Sequence, residues 1–135
     1  MIPEIGHIIL ISHLVLSFMG GILPLAAIYS KNDFLSIPTK KLSVFLFFLI
    51  LVPFLVLIYS FLIDDFSVAY VSQNSNINLP NYYKLAATWG AHEGSLLLWI
   101  LAMNGWLIAF MFFNNSKDKD YISTVFSISC QVIFA

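Results

Sequence analysis

Residues 42–63 read LSVFLFFLILVPFLVLIYSFLI, a run without a single charged side chain. A helix of this length covers the hydrocarbon core of a bilayer, which takes about 20 apolar residues. Residues 5–30 and 94–113 form two further long, uncharged runs. The chain is 60% hydrophobic and 10% charged, with a mean hydropathy of +0.90, which excludes a soluble globular domain. We therefore predict an all-α, polytopic membrane protein with three complete transmembrane helices.

The end of the chain predicts the beginning of a fourth span. Residues 121–135 are strongly apolar, but they provide only roughly three-quarters of the ~20 residues that a span requires. We therefore expect a chain truncated inside its fourth transmembrane helix. The single cysteine, Cys130, lies in this stretch, so we expect neither a disulfide nor a thiolate metal site within the chain.

The lysines predict the orientation in the membrane. Lys31, Lys40 and Lys41 lie in the first predicted connection, and Lys117 and Lys119 lie in the third. The longer connection, residues 64–93, has only Lys84. Because short lysine-rich loops stay in the cytoplasm, we predict that the N-terminus and residues 64–93 lie outside. In that outer loop we expect Tyr82, Tyr83 and Trp89 in the interfacial aromatic belt, with Lys84 as an interfacial anchor.

Residues 89–99, WGAHEGSLLLW, set ionisable side chains at the start of the third span. Residues seven apart share a helix face, so His92, Trp99 and Trp106 form one stripe. Trp99 lies about 10 Å below His92, where its indole N–H needs a partner or a ligand. The candidate cofactor-binding residues are Trp89, His92, Glu93, Trp99 and Trp106. A packing surface against another helix, with Gly94 permitting close approach, is the open alternative.

The chemistry of this stripe leaves two interpretations. Aromatic walls and a histidine suit haem, a flat macrocycle with iron. Proton chemistry at Glu93 fits less well, because it needs further ionisable groups at depth and the interiors of the second and third spans have none besides His92 and Glu93 at the end. His7 and His13 lie on the first span. We expect His7 to be an interfacial side chain and His13 to make a helix–helix contact, with haem or quinone contact as the minority alternative for His13.

Several motifs resemble the cytochrome c-type biogenesis protein family CcmF, a cytochrome c haem lyase subunit. They are residues 65–71 (DFSVAYV), 79–80 (LP), 83–84 (YK) and, above all, the WGAHEGSLLLW segment. The opening residues, MIPEIGH, also resemble that family's start. The resemblance covers the amino-terminal part of the family only. It implies a multi-pass protein of the bacterial inner (plasma) membrane, or alternatively of the mitochondrial inner membrane.

The resemblance also implies a function: haem transport, delivery and covalent attachment to apocytochrome c, with haem as the cofactor. The implied partners are a CcmE-type haem chaperone, CcmH-type and CcmI-type subunits and apocytochrome c. The apolar composition adds membrane lipid, and the net charge of −1 predicts no nucleic-acid partner. The tryptophan-rich segment and haem-ligating histidines of the family lie further downstream, so whether this chain is an enzyme is left open. We expect residues 1–88 to form a transmembrane hairpin with an outward loop, and residues 89–135 the truncated start of a haem-handling cytochrome c assembly domain.

Two other classes of function stay open from the residues alone. An ion- or quinone-coupled membrane transporter subunit would depend on Glu93 without any dependence on haem. A membrane scaffold without its own chemistry would only dock a partner. Catalytic residues and metal ligands are not predicted within this chain.

Overall fold

The computed structural model describes residues 2–30 and 39–113. The predicted fourth span, residues 121–135 with Cys130, lies outside them. The described elements are α1 (Ile2–Ser30), α2 (Thr39–Leu62), α3 (Ala69–Asn74), α4 (Asn81–Ala87) and α5 (His92–Phe113). Within α1, α2 and α5 the segments Glu4–Leu23, Lys41–Leu62 and His92–Phe110 are long and apolar enough to cross a membrane. The prediction of an all-α membrane protein with three complete spans is confirmed over the described residues.

Helix α2 is the centre of the three-helix bundle, because both α1 and α5 pack against it. Leu46 of α2 and Leu107 of α5 are buried against each other, and Leu16 of α1 packs on the same cluster. Gly6 lies ten residues before Leu16 on α1, and it faces Val56, which lies ten residues after Leu46 on α2. A Cβ added at Gly6 would be 3.9 Å from Val56 Cγ1. The numbering rises on one helix as it falls on the other, so α1 and α2 are antiparallel.

Polar side chains buried between these helices mostly bond to their own backbone. Ser17 Oγ donates to the Leu14 carbonyl at 3.0 Å, and Asn104 Nδ2 donates to the Ile100 carbonyl at 2.9 Å. Such bonds remove the cost of an unsatisfied donor in lipid. His13 is buried, as expected for a helix–helix contact. Its Nε2, like Asn104 Oδ1, has no hydrogen-bond partner among residues 2–30 and 39–113.

Between α2 and α5 the chain folds into the short helices α3 and α4, and we call this end of the bundle the loop end. Helix α4 packs against α2. Asp64, which follows α2, has a φ of 57°, a left-handed conformation that aspartate adopts more readily than most residues. Its Oδ2 lies 2.5 Å from Lys84 Nζ, and Lys84 is only 4% exposed.

The prediction that Lys84 is an interfacial anchor is therefore wrong. A lysine is buried only when its charge is paired, and here the carboxylate of Asp64 provides that pair. The other members of the predicted interfacial group, Tyr82, Tyr83 and Trp89, are all exposed at the loop end. The rings of Tyr82 and Tyr83 lie against each other with centroids 4.5 Å apart.

Candidate functional site

The WGAHEGS segment forms a tight connection between α4 and α5. The amide of Trp89 donates to the Ala86 carbonyl at 3.3 Å, and that of Gly90 donates to the Ala87 carbonyl at 3.2 Å. Helix α5 then begins at His92, with Glu93 in its first turn. A carboxylate at this position interacts favourably with the positive end of the helix dipole. The segment is therefore an ordered turn that fixes where the third span starts.

A tyrosine from α3 holds this turn in place. The Tyr70 hydroxyl donates to the Thr88 carbonyl oxygen at 3.2 Å and accepts from the Gly94 amide at 3.3 Å. One side chain thus satisfies a carbonyl before α5 and one of the first-turn amides that a helix leaves without a partner. The ring of Tyr70 packs edge-on against Phe61 of α2, with centroids 5.5 Å apart. The start of α5 is thereby tied to α3 and α2.

Glycine is the only residue type that fits at position 94. A Cβ there would overlap the Thr88 carbonyl oxygen and lie 2.6 Å from the Tyr70 hydroxyl. The expected close approach at Gly94 is thus observed, but to Thr88 and Tyr70 rather than to another transmembrane helix. Sequence reasoning missed the role of Tyr70, although the residue lies in the DFSVAYV motif that carried part of the resemblance.

The predicted site residues fall into two groups. His92, Trp99 and Trp106 share one face of α5, and this face points away from α2. Trp99 is 68% and Trp106 79% exposed. Neither indole has a hydrogen-bond partner within the described part of the chain. We call these three residues the α5 stripe.

Trp89 and Glu93 lie apart from the α5 stripe. Trp89 precedes the helix and is partly exposed. Glu93 borders a cleft of about 300 Å³ at the loop end, between α1, α2 and α5. His7 of α1 lies on the same cleft. Glu93 and His7 therefore line the same cleft, which the sequence did not predict.

The α5 stripe has the chemistry to contact one face of a flat aromatic ligand such as haem, but not both faces. Its exposed indoles offer apolar faces, and the exposed His92 imidazole is a chemically suitable iron ligand. A helix surface is convex, however, and a haem site requires walls on both faces of the macrocycle. Among residues 2–30 and 39–113, no group of three or more His, Cys, Asp or Glu side chains is placed to hold a metal ion. The α5 stripe thus offers a surface to only one face of such a ligand.

Comparison with known proteins identifies relatives of the chain, although no family model matches it. The cytochrome c-type biogenesis protein CcmF of Escherichia coli (strain K12) is 40% identical over 129 residues, which are 95% of this chain and 20% of that protein. The cytochrome c-type biogenesis protein NrfE of Haemophilus influenzae is 35% identical over 134 residues, 99% of this chain and 21% of that protein.

A solved structure has the same fold. The chain superposes on the structure of the cytochrome c heme lyase CcmF with a TM-score of 0.87 and 26% sequence identity, covering 99% of this chain and 23% of that one. The chain thus spans about a fifth of the length of the relatives that it matches. It belongs to the CcmF and NrfE family of cytochrome c-type biogenesis proteins and corresponds to the amino-terminal part of its members.

Proposed function

We propose that this chain is the amino-terminal membrane unit of a haem-handling component in cytochrome c biogenesis, acting where haem is delivered and attached covalently to apocytochrome c. The observation that carries the proposal is the match of the fold, with a TM-score of 0.87 over 99% of this chain, to part of a cytochrome c heme lyase. The relatives named for cytochrome c-type biogenesis match the chain over nearly its whole length. The proposed location is the bacterial inner membrane.

Within this unit we assign distinct tasks to the two groups of site residues. Tyr70 and Gly94 fix the start of α5, so that the α5 stripe has a defined position relative to the loop end. Trp99 and Trp106 then provide a flat apolar surface for one face of haem or for its acceptor, and His92 stands at the end of that surface. Haem, when bound, is the group that becomes attached to the apocytochrome; the tryptophans orient it and exclude water from one side.

The remaining parts of the proposal follow from the length of the relatives. About four-fifths of each relative has no counterpart in this chain, so the second wall of the site is assigned to sequence outside it. Residues 1–88 serve as a hairpin with its outward loop, and residues 89–135 as the start of the haem-handling domain. A CcmE-type chaperone, CcmH-type and CcmI-type subunits and apocytochrome c are the proposed partners.

A chimera tests this proposal. This chain replaces the matching 129 residues of the Escherichia coli CcmF protein, and the chimera is expressed in cells that lack CcmF. We expect covalent haem in c-type cytochromes, measured by haem stain on denaturing gels, from the chimera and not from the chain alone. A chimera that reaches the membrane at normal level without restoring haem attachment would contradict the proposal, and so would full maturation by the chain alone.

A further inference from the structure

The loop-end cleft has the size and lining of a small-molecule site. Its volume of about 300 Å³ lies at the lower end of the roughly 300–1,000 Å³ that is typical of such sites. Leu10, Pro53, Leu57 and Leu97 give it an apolar interior from three helices. His7 of α1 and Glu93 of α5 are its ionisable residues. This combination fits a molecule with an apolar tail and a polar head.

The polar groups that are free to bind a head group are those of His7 and Glu93. Two hydroxyls also line the cleft, but both are already bonded: Ser60 Oγ donates to the Val56 carbonyl, and the Tyr70 hydroxyl bonds to Thr88 and Gly94. The side chains of His7 and Glu93 are exposed and have no hydrogen-bond partner among the described residues.

Charge determines which head group suits the cleft. The charged side chains described at the loop end are Glu4, Asp64, Asp65, Lys84 and Glu93, and Lys84 is bound to Asp64. Acidic groups therefore dominate this end of the bundle. An ammonium group is attracted to such a surface, whereas an anionic head group is repelled. A quinone presents only carbonyl acceptors, which His7 can bind but the Glu93 carboxylate cannot, so a quinone would leave Glu93 without a partner.

The depth of the cleft suits one acyl chain. On α2 it extends from Ser60 to Pro53, a rise of about 10 Å along the helix axis. One leaflet of a bilayer has a hydrocarbon depth of about 15 Å. The apolar interior of the cleft thus occupies the upper part of the leaflet, with Glu93, in the first turn of α5, nearer the membrane surface.

We propose that the loop-end cleft binds one aminophospholipid, with its ammonium group at Glu93, a phosphate or ester oxygen at the His7 imidazole, and an acyl chain against Leu57 and Leu97. Carboxylate and imidazole come from different helices, so the lipid bridges α1 and α5, which otherwise meet mainly through α2. This proposal is independent of haem and of cytochrome maturation.

Photo-cross-linking tests the proposal. The protein is reconstituted in phosphatidylcholine vesicles that contain a trace of either phosphatidylethanolamine or phosphatidylglycerol, each with the same photoreactive group on one acyl chain. After irradiation, mass spectrometry of peptides locates the cross-links. We expect phosphatidylethanolamine to label the peptides with Leu57 and Leu97 several-fold more than phosphatidylglycerol does. Equal labelling by the two lipids would overturn the proposal.

Two variants and a control assign the effect to the cleft. Glu93→Gln should lower the phosphatidylethanolamine labelling to the level of phosphatidylglycerol. Leu97→Trp should lower the labelling of Leu57 for both lipids because it fills the cleft. Asp65→Asn removes a charge from the same end but outside the cleft, and should lower the labelling much less than Glu93→Gln does. An equal loss in Asp65→Asn, or displacement of the lipid by an equimolar quinone, would contradict a specific head-group site.

Discussion

At position 94 the backbone of α5 passes so close to its surroundings that hydrogen is the only side chain with room. The obstacle to a larger residue is the Thr88 carbonyl, which is backbone and cannot rotate away. Tyr70 fills the remaining space and satisfies both polar groups that the close approach leaves without water. The glycine and the tyrosine therefore form one structural unit, although they are far apart in the sequence.

Gly94→Ala and Tyr70→Phe should both destabilise the protein. The alanine Cβ forces the turn or α5 to shift, which we expect to cost about 1–3 kcal/mol or more. The phenylalanine keeps the ring packing but leaves the Gly94 amide and Thr88 carbonyl without their partner, at about 1–3 kcal/mol. Thermal unfolding in detergent measures both. Tyr82→Phe, at an exposed tyrosine, is the control and should be neutral; a neutral Gly94→Ala would refute the close approach.

The buried ion pair provides a second prediction at this scale. Lys84→Met leaves the Asp64 carboxylate without its counter-charge, and removing one partner of a buried pair costs up to about 3–5 kcal/mol. The cost should be smaller here because Asp64 is partly exposed. The double variant Lys84→Met, Asp64→Asn should recover much of the loss, since asparagine tolerates the left-handed backbone. Denaturation of the single and double variants measures this coupling, and strictly additive losses would contradict it.

At the scale of the helix, α5 has two faces with different surroundings. Asn104 and Leu107 are buried on the side of α2, whereas Trp99 and Trp106 project away from it. A large exposed residue contributes little to the stability of the described bundle. Replacing Trp99 or Trp106 should therefore affect what binds to this face of α5 rather than how much protein accumulates.

This distinction gives a test of the α5 stripe in the active chimera. Trp99→Leu and His92→Ala should lower the yield of holocytochrome while leaving the amount of protein in the membrane unchanged. Phe112→Leu, at an exposed aromatic of α5 outside the stripe, is the matched control and should alter neither. Immunoblot and haem stain are measured on the same samples. Normal haem attachment in both stripe variants would remove this face from the mechanism.

The sequence predicted the elements better than the contacts between them. Uncharged runs marked both ends of the three long helices, Ile2–Ser30, Thr39–Leu62 and His92–Phe113, to within about three residues, because length and apolarity alone determine a span. The seven-residue spacing likewise placed His92, Trp99 and Trp106 on one face. The partners of Lys84 and Tyr70 were not predictable, since each contact joins residues that are far apart in sequence and depends on the exact path of the loop end.

For the whole molecule, the orientation in the membrane stays a prediction from the lysines. In a Cys130→Ser background, Asn76→Cys in the exposed loop end should react with an impermeant maleimide in intact spheroplasts. Lys117→Cys should react only after the membrane is broken. The reverse pattern would place the N-terminus and the loop end in the cytoplasm, and would thereby move the proposed lipid to the other leaflet.

The central place of α2 has a consequence for how the protein is made. Of the three spans α2 is the most apolar and α5 the least, so α2 partitions readily into lipid without help, whereas α5 carries Asn104. Because α2 is synthesised before α5, the less apolar helix α5 enters a membrane that already contains α2, the helix against which it packs. We expect co-translational insertion of α5 to depend on α2, so that an error in the second span shows itself as a failure of the third.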